Sequence, residues 1–396
     1  MATLTKGGNT DRYQIDVSLD LSPLEVQNVF TSANGGNTKR QSKLANELTE
    51  KDPAIAQSWN VRVSSIAACP WELVGDNADE VTRDLKNIQP SFDSGLVSFS
   101  KLLNYLQSAV LHGFAIAQAE YENGGSVISG FKVYSHSLFS YVDSSLPYYQ
   151  DPGDTKKRRP IFSPRWIYHT ATNARDMEPL RSGIVRPLAY LYAFRRHVTI
   201  EYMRGIEKYG LPLVQANVAR WMWENSDEKT ELKNFLGNMT YDGYLITPKD
   251  EVELNFPTAS SAFDAAVFKE YLDLSEKQIF RLILGQDSTS SADNSNRSTA
   301  QVHNLVRQDI LAADAKAVEE TINNQIIKPL VAAKYRRSAQ APVFRFITKG
   351  VDELNQIATL AKTFKEAGYT IDLEDLATRT GLKITKDDEE ITSDDN

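Results

Sequence analysis

Residues 286–297 read QDSTSSADNSNR, twelve residues with one apolar side chain, set between two long helical stretches. The stretch before them ends on IFRLILG, and Gly285 is a natural helix stop. The stretch after them opens with Ser298-Thr-Ala-Gln301, the spacing of a capping box in which Ser298 and Gln301 satisfy each other's orphan backbone donors. Helix–helix connections in compact domains usually need about two to eight residues. A dozen polar residues therefore form either a surface linker or a segment held over a wet space that it must touch.

Composition narrows the classes. At 396 residues the chain can bury a large core and suggests two or three domains. No apolar stretch approaches the roughly 18 residues of a membrane span, and no apolar run follows Met1 as in a secretory signal. The single cysteine, Cys69, excludes an internal disulfide framework and a cysteine metal site, and fits a reducing compartment. A net charge of −8 argues against broad, tight nucleic-acid binding. Much of that charge is local, because residues 386–396 carry six acidic side chains and one lysine, which reads as an acidic tail.

The first third reads as mixed α/β. Ser22 followed by Pro23 starts a helix, Leu44 and Leu48 mark a second, and Asp52 with Pro53 starts a third. WELVG at 71–75 is strand-like, 99–114 is amphipathic with Leu102, Leu103, Leu106 and Val110 on one face, and the Asn-Gly-Gly at 123–125 marks a hairpin between 115–121 and 126–134. Residues 165–170 return to strand.

A helix is expected from Pro187 to Gly210, with Leu188, Leu191, Val198, Tyr202, Ile206 and Tyr209 on one side. Arg186, His197, Arg204 and Lys208 fall almost opposite, a basic stripe on a helix with five positive and two negative side chains over 185–209. A small α/β insert follows, with strands at 213–218, 243–247 and 252–256 and a helix at 227–239. A helix then runs over 260–284, the polar segment over 286–297, and an alanine-rich helix from Thr299 towards Pro329. Residues 343–347 read as a strand, and 351–384 as two or three small helices. A helix pair with an insert at its far end makes a stalk that cannot hide its apolar and polar faces alone.

Other features are weaker. The basic cluster Lys156 to Arg159 reads as a surface turn, and the five histidines (112, 136, 169, 197, 303) lack metal-ligand spacing. Gly125 and Gly130 fit half a phosphate loop, but Phe131 stands where its lysine belongs. No nucleophile elbow, Cys/His pairing or carboxylate constellation appears, so no catalytic residue, metal or cofactor is expected.

Several stretches together resemble the Mu-like portal family of tailed bacteriophages over about residues 21–382. They are LSPLEV at 21–26, LANELTEKDPAI at 44–55, WEL at 71–73, HGFAIAQAEY at 112–121, GIVRPLAYLYAF at 183–194, EKYGLP at 207–212, GQ at 285–286, VHNLVRQDI at 302–310 and TINNQIIKPLV at 321–331. None is decisive singly; their order is specific. The acidic tail departs from the longer, more basic C-terminal segments usual in that family.

The resemblance implies an α+β portal fold that assembles as a ring, usually dodecameric, at one capsid vertex of the virion. Its implied parts are a wing (1–183 and 299–350), stem helices (184–210 and 258–284), a clip (211–257), a tunnel loop (285–298) and a crown with tail (351–396). It further implies double-stranded DNA passing during packaging and ejection, and partners in the terminase large subunit, a head–tail adaptor and the major capsid or scaffolding protein. It implies no membrane, and synthesis in the host cytoplasm. On this reading Asp287, Ser288, Thr289, Ser290, Ser291, Asp293, Asn294, Ser295, Asn296 and Arg297 line the DNA channel, and Arg186, Arg204 and Lys208 add a basic stripe if it faces the lumen. A different ring-forming connector component, or an α/β enzyme with an unrecognised site, stays open as an alternative.

Overall fold

The structure, a computed structural model, describes residues 21–122, 126–142, 147–150, 158–161, 165–171, 178–210, 214–239, 244–248, 264–286, 297–335, 340–348 and 351–369. The chain divides into two compact units, Met1–Tyr190 with Lys277–Asn396, and Leu191–Glu276.

The first unit opens with helices α1 (Pro23–Asn34), α2 (Lys39–Lys51) and α3 (Pro53–Ala67). Their starts follow from the sequence: the Ser22 hydroxyl accepts from Glu25 N–H, and one Asp52 oxygen accepts from Ala54 and Ile55 N–H. Leu44 and Leu48 are fully buried, as their spacing requires. Strand β1 (Trp71–Val74) and helix α4 (Ala78–Lys86) come next. The amphipathic stretch at 99–114 is two helices rather than one, α5 (Phe99–Gln107) and α6 (Ala109–His112). The break has a visible cause, since the Ser108 hydroxyl donates to Tyr105 O and competes with the backbone ladder. Strands β2 (Phe114–Glu122) and β3 (Val127–Val133) form the expected antiparallel hairpin. Then follow β4 (Phe139–Tyr141), β5 (Pro147–Gln150), β6 (Arg158–Pro160) and β7 (Trp166–Thr170). One sheet has the order β3-β2-β7 and another β4-β5-β6. Phe114, Ile116, Phe139, Tyr141 and Leu180 form a buried cluster on which Tyr134, Tyr149 and Trp166 pack.

Helix α7 (Val185–Gly210) starts two residues before Pro187 and crosses into the second unit. That unit holds β8 (Val214–Val218), α8 (Arg220–Glu224), α9 (Ser226–Met239) and β9 (Tyr244–Pro248), and ends on α10 (Ala265–Leu284), which crosses back. Strands β8 and β9 pair in parallel with Val214 opposite Tyr244, an arrangement that needs a crossover such as α8 and α9 supply. Helix α8 had no sequence expectation, and the strand expected at 252–256 and the start of the helix expected from 260 lie outside the described residues. Within the unit, α7 and α10 meet antiparallel, with Tyr202 stacked on Phe268 (centroids 5.7 Å apart) and Arg195 Nη2 3.7 Å from Glu276 Oε2.

Back in the first unit, α11 (Arg297–Ile322) continues through a π-helical turn (Asn323–Ile327) into α12 (Lys328–Lys334), followed by β10 (Val343–Phe346) and α13 (Val351–Glu366). Two expectations change here. Helix α11 begins at Arg297, so Ser298 is a helical residue and not its cap. The helix also runs past Pro329, because the π turn releases the backbone bond that the proline ring would otherwise disrupt. The acidic tail, and any helix at 370–384, lie outside the described residues.

The π turn ties the long helix to two sheets. Asn323 donates Nδ2 to Phe344 O (2.9 Å) and accepts Phe344 N–H at Oδ1 (2.7 Å), while Gln325 does the same for Tyr168 (2.7 Å each). Glu319 Oε1 accepts Phe346 N–H, the next inward position of β10, at 2.6 Å. Side-chain amides thus cover strand edges that would otherwise stay unpaired. Asn323→Ala is expected to destabilise the chain by roughly 2–4 kcal/mol, since two backbone groups of buried Phe344 lose their partner. A urea midpoint equal to the native one would refute this.

Candidate functional site

The polar segment itself falls mostly outside the described residues: Asp287, Ser288, Thr289, Ser290, Ser291, Asp293, Asn294, Ser295 and Asn296 all do. Arg297 is the first residue of α11, and its side chain is likewise outside the description. What the structure does place is the ground from which the segment departs and to which it returns.

Helix α10 ends at Leu284, and Gly285 follows with φ +74°. A side chain there would put its Cβ 2.6 Å from Ile310 Cδ1 and 2.9 Å from Val306 Cγ1, so only glycine lets the end of α10 lie against α11. Gln286, the first residue of the segment and the last described before Asp287, is buried. Since Gly285 abuts Val306, α11 runs nine residues further towards its N-terminus, about 13 Å at 1.5 Å per residue.

Behind this junction sits a buried polar cluster. Arg62 donates Nη1 to Ile283 O (2.8 Å), Nε to Asp314 Oδ2 (2.9 Å) and Nη2 to Asp314 Oδ1 (3.0 Å). Gln107 Nε2 adds a bond to Asp314 Oδ2 (2.8 Å). Four elements, α3, α5, α10 and α11, converge there, beside a cavity of about 20 Å³ lined in part by Arg307, Ile310 and Leu311. Sequence reasoning passed over these residues, although a signal existed. Ile55, Ser58 and Ile66 define the buried face of α3, and Arg62 lies in the same row at helical spacing. A charged residue on a core face requires a partner.

The three residues of the basic stripe have different surroundings. In the first unit the Arg186 guanidinium lies 4.9 Å from the Phe30 ring centroid and donates Nη2 to Asn34 Oδ1 (2.8 Å). Arg181, Arg186 and Leu282 are among the residues lining an open cleft of about 420 Å³ at the start of α7. In the second unit Arg204 is exposed and pairs with Glu201 at 2.6 Å, a contact of little energetic weight in water. Lys208 lies in α7 with its side chain outside the description. In the basic cluster Arg158 and Arg159 belong to β6, and Lys156 and Lys157 are not described.

Three histidines are core residues. The rings of His112 and His136 stack at 3.7 Å, His136 Nε2 meets the Ser108 hydroxyl at 2.9 Å, and His169 Nδ1 meets the Thr321 hydroxyl at 2.7 Å. Burial holds all three neutral, lowering His136 to about 3 and His169 to about 4, and His112 well below its usual value. Among the described residues, no three His, Cys, Asp or Glu side chains converge as metal ligands, and no helix is long and apolar enough to cross a membrane.

The second unit exposes apolar side chains along both of its long helices: Phe194, Ile200 and Met203 on α7, Val267 and Leu274 on α10.

Comparison with known proteins gives these surfaces a context. The family described as "Portal protein of Mu bacteriophage" matches residues 42–382. A protein of Haemophilus influenzae named "Mu-like prophage FluMu protein gp29" is 25% identical over 387 residues, covering 94% of this chain and 72% of the relative. The "Portal protein" of Escherichia phage Mu is 23% identical over 327 residues, 81% of this chain, which spans 62% of that relative's length. Among solved structures, a chain in the neck of a native gene transfer agent particle computed with C12 symmetry has a TM-score of 0.54 at 13% identity, covering 92% of this chain and 96% of its own. A chain in the neck of the empty particle computed with C6 symmetry has a TM-score of 0.55 at 13% identity, covering 92% and 95%. At such identities the likeness is one of fold.

Proposed function

Because the chain belongs to the family of Mu bacteriophage portal proteins, we propose that it forms the ring at one capsid vertex through which double-stranded DNA is packaged and ejected. The match over residues 42–382 carries this reading. Twelve copies make the ring, a number supported by the C12 neck whose chain shares the fold. The apolar side chains exposed on α7 and α10 suit a surface that neighbouring copies cover.

Residues 1–183 and 299–350 are the wing, 184–210 and 258–284 the stem, 211–257 the clip, 285–298 the tunnel loop and 351–396 the crown. The separate compactness of Leu191–Glu276 supports a stem that carries a clip. The terminase large subunit and the head–tail adaptor dock on the ring, and the major capsid or scaffolding protein is a further partner. The protein acts as a virion component made in the host cytoplasm, and as a conduit rather than a catalyst.

A conduit must guide DNA without gripping it. Each phosphate neutralised by Lys or Arg tightens binding, with a log–log salt slope of about −0.9 per contact. The segment from Asp287 to Arg297 carries two carboxylates and one guanidinium, so a ring of such segments repels phosphate. Its hydroxyls and amides offer only transient contacts. If that face of α7 lines the lumen, Arg204 and Lys208 supply a modest centring potential, while Arg186 is already held by Phe30 and Asn34. Negative-stain microscopy of the purified protein tests the reading. Rings with a central hole wide enough for duplex DNA are expected, and a compact monomer or dimer at every concentration would overturn it.

A further inference from the structure

One guanidinium ties the helix end from which the polar segment departs to the body of α11. Arg62 in α3 holds the last turn of α10 through Ile283 O, three residues before the segment, and holds α11 through both oxygens of Asp314. Gln107 in α5 gives the same carboxylate a third donor. The Arg62 and Asp314 side chains are only 15% and 5% exposed.

Stability alone is a poor account of such a cluster, because well-packed apolar residues commonly replace buried ion pairs without loss. Apolar packing, however, does not fix a helix end to within a hydrogen-bond length. The guanidinium does, since its planar fork engages the carboxylate at two points while a third N–H reaches the carbonyl at the negative end of the α10 dipole. Gly285 adds the second constraint by letting α10 abut Val306 and Ile310 of α11.

We propose that Arg62, Asp314 and Gln107 are positioning residues that latch the departing root of the 286–297 segment, the end of α10, to α3, α5 and the body of α11, so that the segment leaves from a rigid frame. The geometry of the latch stands by itself; the task of the segment rests on the function proposed above.

The test uses full-length protein assembled as rings. Hydrogen exchange is followed at residues 281–286 and 306–316, together with cleavage before Asp287 and Asp293 by an Asp-specific protease. Arg62→Ala is expected to speed both about tenfold, because charge-assisted bonds are lost at the end of α10 and at Asp314. Arg62→Lys is expected to give about a threefold change, since an ammonium keeps the charge but cannot bridge Asp314 and Ile283 O in the same way. Exchange of β8 and β9 should stay native. The latch is refuted if both variants exchange at the native rate, or if exchange rises equally throughout the first unit, which marks general core damage. Should Arg62→Ala not fold, Arg62→Lys decides by the same criteria. DNA filling of heads built with the variants separates the two claims. A loosened root with reduced filling supports both, whereas a loosened root with native filling keeps the latch and removes the segment's role in the channel.

Discussion

Heads assembled with the double variant Asp287→Lys and Asp293→Lys are expected to hold DNA at no more than about one tenth of the native frequency at low ionic strength. Each substitution adds two charges, so the segment through Arg297 moves from −1 to +3. In a ring of twelve, that is a change from roughly −12 to roughly +36 at one level of the channel. A protein that makes about six to ten phosphate contacts loses roughly three to five orders of magnitude in affinity between 50 and 200 mM salt. DNA held this way must break such contacts at every step. The deficit should therefore shrink as salt rises, the signature that separates electrostatic friction from a misfolded ring. Asp287→Asn with Asp293→Asn removes repulsion without adding attraction, and its effect should stay within about threefold. Rings of both variants should look native by negative stain. Native filling by the lysine variant at low salt would mean that the segment does not touch DNA.

The elements that were legible in the sequence are those whose cause is local. Ser22 and Asp52 cap helices through bonds spanning two or three residues, and the Asn-Gly-Gly at 123–125 joins two alternating strands. Leu44, Leu48, Leu102 and Leu106 are buried because their spacing puts them on one helix face. What stayed hidden depends on partners distant in the chain. Arg62 and Asp314 are 252 positions apart, and nothing in either neighbourhood names the other. The π turn is a further case. Pro329 reads as a stop by local rules, yet Asn323 and Gln325 gain four backbone bonds from Phe344 and Tyr168 by letting the helix widen and continue. The break at Ser108 is part local and part tertiary, since its hydroxyl donates to Tyr105 O three residues back and also meets His136. For the candidate site, the sequence exposed the segment and its charge, whereas the frame that holds it emerged only from packing.

The first unit is expected to lose stability steeply as pH falls from about 6.5 towards 5, and its buried histidines are the cause. An unfolded histidine titrates near 6.5. Folded His136 and His169 are lowered to about 3 and about 4 by burial, and His112 is lowered well below 6.5 by burial and by the neighbouring His136. Between the unfolded and folded values the unfolded chain binds more protons, so acid favours unfolding. The stabilisation is fully present above about pH 6.5 and drains as pH falls towards the folded values, at up to about 1.4 kcal/mol per pH unit for each ring. His136 and His169 together lose roughly 4 kcal/mol by pH 5, and His112 adds a loss of the same sign, a large share of a whole domain's stability. Glu319 opposes them, because burial raises its carboxyl and the folded chain takes up that proton more readily. His112→Phe isolates one ring. Among the described residues His112 Nδ1 has no hydrogen-bond partner, and a phenyl ring can keep the stack on His136. This variant should be at least as stable as native at pH 7.5, with a pH slope smaller by about one proton in a denaturation series from pH 7.5 to 5. A slope equal to the native one would show that His112 is charged in the folded chain, and the stacked pair would then need another source of neutrality.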